Sequence, residues 1–351
     1  MPNHPSRGIT VVGARPQFIK AAAVSRAFQQ LQTLEEVLVH TGQHYDFEMS
    51  DIFFQELGIP APKHHLGIHG GGHGSMTGRM LEELERVMLE EKPDWVMIYG
   101  DTNSTLAAAL AAAKLRIPVA HVEAGLRSFN RAMPEEINRV LADHVSELLF
   151  CPTQQAVDNL RQEGIERGVH VVGDVMYDTV LLTREAARRR SDILARLNVK
   201  PGEYAVATIH REENTADARK LGAVIEYLRE QAARMPVVLP LHPRTVAAAE
   251  RFSVPLAGLQ VVTPLGYLDM ARLLDDCAAV YTDSGGLQKE AYFHRKPCVT
   301  LRSETEWVET VNSGWNRLWQ GPDYAPRRDI ADYGDGHAAN RIVALMAEQW
   351  R

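Results

Sequence analysis

The sequence predicts an α/β protein of two doubly wound domains, each a parallel sheet flanked by helices, and three observations predict it. The chain has 351 residues, more than one hydrophobic core ordinarily supports. Short β-branched runs alternate with helical stretches from end to end, the rhythm of successive β-α-β units. The motifs rich in charge and glycine fall where strands end, the edge at which open α/β sheets bind ligands.

The first strand, residues 9–12, runs into GARPQFIK, where Pro16 opens a helix at a position that proline favours. Further strands are expected at 37–40, 95–99, 117–122, 148–151 and 169–172, with helices near Glu48 and from Thr105. The Gly173-Asp174 turn precedes a long charged helix and marks the boundary, giving one domain over 1–173 and another over 174–337. Strands of the second domain are expected at 204–209, 237–239, 261–263, 279–282 and 297–301. A terminal helix over 338–351 can pack on either domain, the first included. Residues 64–78 hold four histidines among many glycines in spacings that match no zinc pattern, so the segment reads as a mobile capping loop with glycine hinges. The run Arg188, Arg189, Arg190 reads as a solvated helix face.

Composition narrows the function. A net charge of -7 disfavours nucleic acid, so any bound anion must be held by local cations and helix ends. No apolar run is long enough to cross a bilayer, and a short polar leader passes straight into a strand without the apolar core of a secretory signal, so a cytoplasmic location is expected. Cys151, Cys277 and Cys298 are odd in number and widely spaced, which reads as reduced core residues and not a disulfide framework or a metal site.

Candidate chemistry gathers at five strand ends. Arg15 and Lys20 stand near the start of the first helix, where backbone amides and the helix dipole suit a phosphate; no G-x-G-x-x-G or P-loop pattern accompanies them, so NAD and ATP lose support. Asp101 in GDTNST and Glu123 in HVEAGLR are placed at the ends of strands expected to be neighbours, and Glu135 in MPEEINR brings a third carboxylate from a helix start. Crowded carboxylates raise one another's pKa and so supply a base and an acid near neutral pH. His210 ends a strand of the second domain, at a place for acid/base or phosphate contact. In TDSGGLQKE, Ser284, Gly285 and Gly286 make a helix-start turn suited to a pyrophosphate, with Glu290 one turn further in to reach a sugar hydroxyl.

Taken in order, GARPQFIK, HTGQH, GDTNST, HVEAGLR, PEEINR, HREEN and TDSGGLQKEA resemble the non-hydrolysing UDP-N-acetylglucosamine 2-epimerase family, from Ile9 to about Trp307. The resemblance implies a GT-B fold of two Rossmann-like domains facing across a cleft, a homodimer, and chemistry without NAD, metal or other cofactor. It implies a catalytic set of Asp101, Glu123, Glu135 and His210, and a UDP-binding set of Arg15, Lys20, Ser284, Gly285, Gly286 and Glu290. The implied reaction eliminates UDP in anti geometry to an enzyme-held 2-acetamidoglucal and adds it back with the proton on the opposite face of C2, making precursors of bacterial surface polysaccharide such as O-antigen. Ala14, Gln17, Phe18, Leu265, Met270 and Trp307 depart from the commonest pattern, and GARPQFIK, HGGGHGSMTGRM, QKEA and TEWVE look more like the branch acting on UDP-2,3-diacetamido-2,3-dideoxyglucuronate. Lys289 is an extra cation, read either as a holder of that sugar's carboxylate or as a solvated helix lysine. A GT-B glycosyltransferase is the rival from another class.

Overall fold

The computed structural model describes residues 5–31, 33–43 and 47–350. The chain divides into two compact units, Met1–Thr179 with Ala331–Arg351, and Val180–Ile330.

The first unit is a seven-stranded parallel sheet. Its strands are β1 (Ser6–Val12), β2 (Leu34–His40), β3 (His64–His65), β4 (Trp95–Tyr99), β5 (Val119–Val122), β6 (Leu148–Cys151) and β7 (Val169–Val171), in the spatial order β3-β2-β1-β4-β5-β6-β7. The second is a six-stranded parallel sheet. It contains β8 (Ala205–Thr208), β9 (Val237–Pro240), β10 (Gln260–Val262), β11 (Ala279–Thr282), β12 (Cys298–Thr300) and β13 (Asn316–Leu318), in the order β10-β9-β8-β11-β12-β13. Both are doubly wound α/β sheets, as the alternation of elements predicts. In each, strand order reverses once, between β1 and β4 and between β8 and β11, and the carboxyl ends flanking such a reversal are where this architecture binds ligands.

The strands are continuous apolar runs because helices cover both faces. Ile9, Val11, Val37, Val39, Val96 and Ile98 pack against the helix Asn103–Lys114, whose Ala107, Ala108, Ala109, Ala111 and Ala112 are all buried. With methyl side chains on every side, that helix lies close to the sheet and shows no amphipathic stripe. The three cysteines are free and buried, and burial pushes each thiol up, that of Cys277 to about 12, so none is a ready nucleophile.

The structure revises three expectations. Of residues 64–78, His64–His65 forms edge strand β3 and the helix His73–Glu91 begins early, so Gly74 and Gly78 are helical and not hinges. The turn between them is pinned, because Arg79 Nη2 donates to the carbonyls of His69 and Gly70 at 3.1 and 2.7 Å. The division between units falls inside the helix Val175–Arg190, not at the turn before it. Its first turn is fastened to the first unit: Thr179 Oγ1 donates to the Ile19 carbonyl at 2.8 Å, and Asp178 Oδ2 accepts from the Ala339 amide at 2.8 Å. Arg188 is not simply solvated either, since Arg184 and Arg188 both pair with the buried Asp275 at 2.8 and 2.6 Å. Among the described residues no helix is long and apolar enough to cross a membrane.

The terminal helix Ala338–Gln349 docks in the first unit through that Asp178 bond and a stack of Trp350 on Trp95, ring centroids 6.2 Å apart. Burial raises the Asp178 carboxyl from 3.8 to about 6, against the opposing pull of the Ala339 and Ala338 amides. The folded state thus holds this proton more tightly than the unfolded chain, so stability falls as pH rises from about 4 to about 6 and stays lower above. Asp178→Asn keeps an acceptor for Ala339 and removes the titration. It is expected to match the parent near pH 4 and exceed it by about 1–3 kcal/mol at pH 8, measured by chemical denaturation at both pH values.

Candidate active site

In the first unit the motifs converge at the reversal between β1 and β4. The helix Arg15–Gln30 follows β1 after a single bend at Gly13 and Ala14. A Cβ at Gly13 would sit 2.0 Å from Thr41 Oγ1 and 2.3 Å from Ser104 Oγ, two hydroxyls that bond each other at 2.8 Å. Only glycine lets β1, the Thr41 turn and the Ser104 helix start meet there. Gln43 completes the junction, its Oε1 accepting from the Ser104 amide and hydroxyl at 3.0 and 2.7 Å; of the same HTGQH motif, His44 lies outside the described residues.

Two of the amides offered to a phosphate at this turn, those of Gly13 and Ala14, are already used. Gln17 Oε1 accepts from the Gly13 and Ala14 amides at 2.8 and 3.1 Å, while its Nε2 donates to the Tyr99 carbonyl and Thr105 Oγ1. The helix start also brings side-chain charge. The Arg15 guanidinium lies 4.5 Å over the Phe53 ring, and buried Lys20 reaches across to form an ion pair with Glu123.

Asp101 and Glu123 do stand at the ends of adjacent strands, for β4 and β5 pair in parallel with Tyr99 opposite Val122. Glu123 adopts φ 70°, the left-handed region that a non-glycine residue rarely holds and that concentrates at functional sites. Asp101 is about one-third exposed and is bonded by the buried Arg139, which also holds Glu136 at 3.0 Å. Each strand-end acid therefore faces a cation.

The helix Pro134–Val145 carries the third acid. Its inward face is polar: Glu136, Asn138, Arg139 and Asp143 are buried, while Ile137 and Leu141 are exposed. Glu136 is a structural carboxylate, accepting from Ser128 N–H, Ser128 Oγ and Phe129 N–H at 2.9, 3.0 and 2.8 Å. Its neighbour Glu135 stays half-buried in the first turn, on the helix that reaches Asp101 through Arg139 and through Asn138, which donates to the Asp101 carbonyl at 2.9 Å.

Beneath these acids runs a buried relay that sequence reasoning missed. His121 bonds the Gly100 carbonyl through Nε2 and Asp143 through Nδ1, both at 2.7 Å. Asp143 also takes Arg127 Nη1 at 2.7 Å and the Gly125 amide at 3.1 Å, and Arg127 forks onto Glu163 with two bonds of 2.7 Å. Burial opposes the Asp143 charge, yet the facing His121 and Arg127 hold its carboxyl below the usual range. The signal was present in PEEINRVLADHV, whose polar residues recur at the spacing of a buried helix face.

In the second unit β8 and β11 pair with Thr208 opposite Thr282, and His210 and Asp283 lie just beyond. Half-exposed His210 meets the fully buried Asp283 through Nδ1 at 3.0 Å. Ser284 is the N-cap of the helix Gly285–Phe293, its Oγ accepting from the Leu287 amide at 3.4 Å, so what it offers a ligand is its hydroxyl proton. The amides of Gly285 and Gly286 are first-turn donors that a helix cannot satisfy internally. A Cβ at Gly285 would lie 2.3 Å from Glu306 Oε1, so close packing on Glu306 also demands that glycine. Glu290 is buried, and its charge adds to the burial that raises the Tyr267 phenol. Lys289 is neither solvated nor at a surface: it is fully buried with its ammonium 4.0 Å over the Trp307 ring. Among the described residues no group of three His, Cys, Asp or Glu side chains is arranged to hold a metal ion.

Two doubly wound sheets, each with an anion-suited turn or a carboxylate pair at its reversal, match one family model, UDP-N-acetylglucosamine 2-epimerase, over residues 26–347. The chain belongs to that family. It is 51% identical to a UDP-2,3-diacetamido-2,3-dideoxy-D-glucuronate 2-epimerase of Pseudomonas aeruginosa, over 97% of this chain and 99% of the relative. It is 42% identical to a UDP-N-acetylglucosamine 2-epimerase of Methanocaldococcus jannaschii, over 96% and 97% of the two chains. The crystal structure of the UDP-GlcNAc 2-epimerase of M. jannaschii in complex with UDP-GlcNAc and UDP superposes with a TM-score of 0.90, at 39% identity over 97% of this chain and 99% of that one. The fold is therefore the GT-B type of these epimerases, with two Rossmann-like units.

Proposed function

We propose that this member of the 2-epimerase family inverts C2 of a UDP-2-acetamido sugar, of the UDP-GlcNAc to UDP-ManNAc type, by elimination and re-addition of UDP. The observation that carries the reading is the pair of acids at the ends of adjacent strands, Glu123 against Lys20 and Asp101 against Arg139. A carboxylate takes the C2 proton, the C2–H electrons form the C1–C2 double bond, and the C1–O bond breaks with its electrons on the departing diphosphate. UDP then re-adds at C1 as a proton reaches the opposite face of C2, which requires acids on both faces; Asp101, Glu123 and Glu135 are the candidates. Lys20 and Arg139 hold two of these acids in place through ion pairs. In this reading Arg15, Ser284, Gly285 and Gly286 hold the diphosphate, His210 donates to it as it leaves, and Glu290 holds a sugar hydroxyl.

A second substrate reading is favoured by the 51% identity to the Pseudomonas enzyme: the same chemistry on UDP-2,3-diacetamido-2,3-dideoxyglucuronate. The buried position of Lys289 argues against it as the residue that reads the 6-carboxylate. The product in either case is an activated manno-type sugar for surface polysaccharide, made in the cytoplasm by a homodimer. Incubation in D2O with each UDP-sugar separately tests the reading. Deuterium at C2 and a manno product with no acceptor present are expected from one of them; no exchange with either, while UDP binds, would sink it in favour of a glycosyltransferase.

A further inference from the structure

Asp283 directly follows β11, and its carboxylate turns to the segment after β8 and not forward to the helix it precedes. The cap of that helix is Ser284, so Asp283 is not an ordinary helix-start acid. Asp283 is fully buried, whereas the His210 side chain is 53% exposed, so the pair runs from interior to surface with one ring nitrogen in and the other out. Oδ1 faces His210 Nδ1 at 3.0 Å. Oδ2 accepts from the Arg211 amide at 3.0 Å and Asn214 Nδ2 at 3.1 Å, and the His210 amide reaches both oxygens at 3.2 and 3.1 Å. Asn214 is itself anchored to the Leu301 carbonyl at 3.1 Å. With these donors around it the carboxylate cannot swing, and an ionised carboxylate can only accept.

We propose that Asp283 is a positioning residue that fixes the tautomer and aim of His210, so that Nδ1 keeps its proton and Nε2 is the working atom. The proposal rests on the reading of His210 as the partner of the leaving diphosphate. A ring so held offers a bare Nε2 when neutral. When protonated it offers an Nε2–H donor whose charge is balanced from behind, which is what a departing diphosphate oxygen needs.

The test is a double-variant cycle on the full-length enzyme, with kcat and KM taken from C2 exchange in D2O with whichever UDP-sugar is turned over. Asp283→Asn presents an amide to Nδ1 and favours the wrong tautomer. It is expected to lower kcat by about 100-fold or more while KM and UDP affinity change less than about threefold. Placed in His210→Ala, the same change should add less than about threefold, because its target is gone. A full further loss in that background, or UDP affinity lost together with the melting transition, would show a structural role and overturn the proposal. Near-normal turnover in His210→Ala would overturn the reading of His210 itself, and with it the purpose of the pair. Should Asp283→Asn not fold, nitrogen-15 NMR of the wild-type imidazole decides: the neutral ring is expected to carry its proton on Nδ1, and a proton on Nε2 with Nδ1 bare would refute the assignment.

Discussion

Glu123→Gln is expected to lower turnover by about two to three orders of magnitude, with C2 deuterium exchange falling in step and the fold retained. The amide fills the same space at the end of β5 and leaves the positive φ of residue 123 unchanged, so geometry is preserved while the base is removed. What changes beside the chemistry is Lys20, whose buried ammonium loses its counter-charge. Removing one partner of a buried pair costs about 3–5 kcal/mol at the extreme, less here because the amide oxygen still accepts. The two consequences separate in the double variant Lys20→Met with Glu123→Gln. Its melting temperature should recover toward wild type while activity stays lost. Near-normal turnover in the single variant would remove Glu123 from the reaction, and recovery of activity in the double variant would show that only the stranded lysine had mattered.

The parts of this site that were legible in the sequence are those set by the backbone. Strand ends are marked by β-branched runs giving way to glycine and charge, and this places Asp101, Glu123, His210 and Ser284 at the ends of β4, β5, β8 and β11 without any coordinates. The short strands β3 and β13 were not legible, because HH and NRL carry no β-branched residue and are strands only through their neighbours. Partner choice was hidden too. Nothing local distinguishes the Gln17 that occupies the Gly13 and Ala14 amides from a solvated first-turn glutamine, or the buried Lys289 from a surface lysine. Both are fixed by residues far along the chain, Tyr99 and Thr105 in one case and Trp307 in the other. The turn after β1 thus reads as a phosphate cradle by sequence and is a packed junction in the fold.

The same long-range character makes Asp143 the residue whose loss should damage the first unit most. Asp143→Ala takes the carboxylate acceptor from His121 Nδ1, removes one of the two carboxylates that face the buried Arg127, leaving it Glu163 alone, and releases the Gly125 amide. The expected cost is about 3–5 kcal/mol, or a drop in melting temperature of roughly 10 °C for a protein of this size. Glu163→Gln, at the far end of the relay where the carboxylate is 27% exposed, should cost less than about 1 kcal/mol, because solvent takes over there. The carboxyl of Asp143 is held below its ordinary value of 3.8, so its stabilisation is present above that value and is lost as pH falls through the lowered one. The gap between wild type and Asp143→Ala should therefore be widest near neutral pH and close in strong acid. Melting curves from pH 7 down to pH 3 read this directly. A gap that stayed constant across the range would mean that Asp143 fills space and carries no charge of consequence, and the His121 bond to the Gly100 carbonyl would then need another source of order.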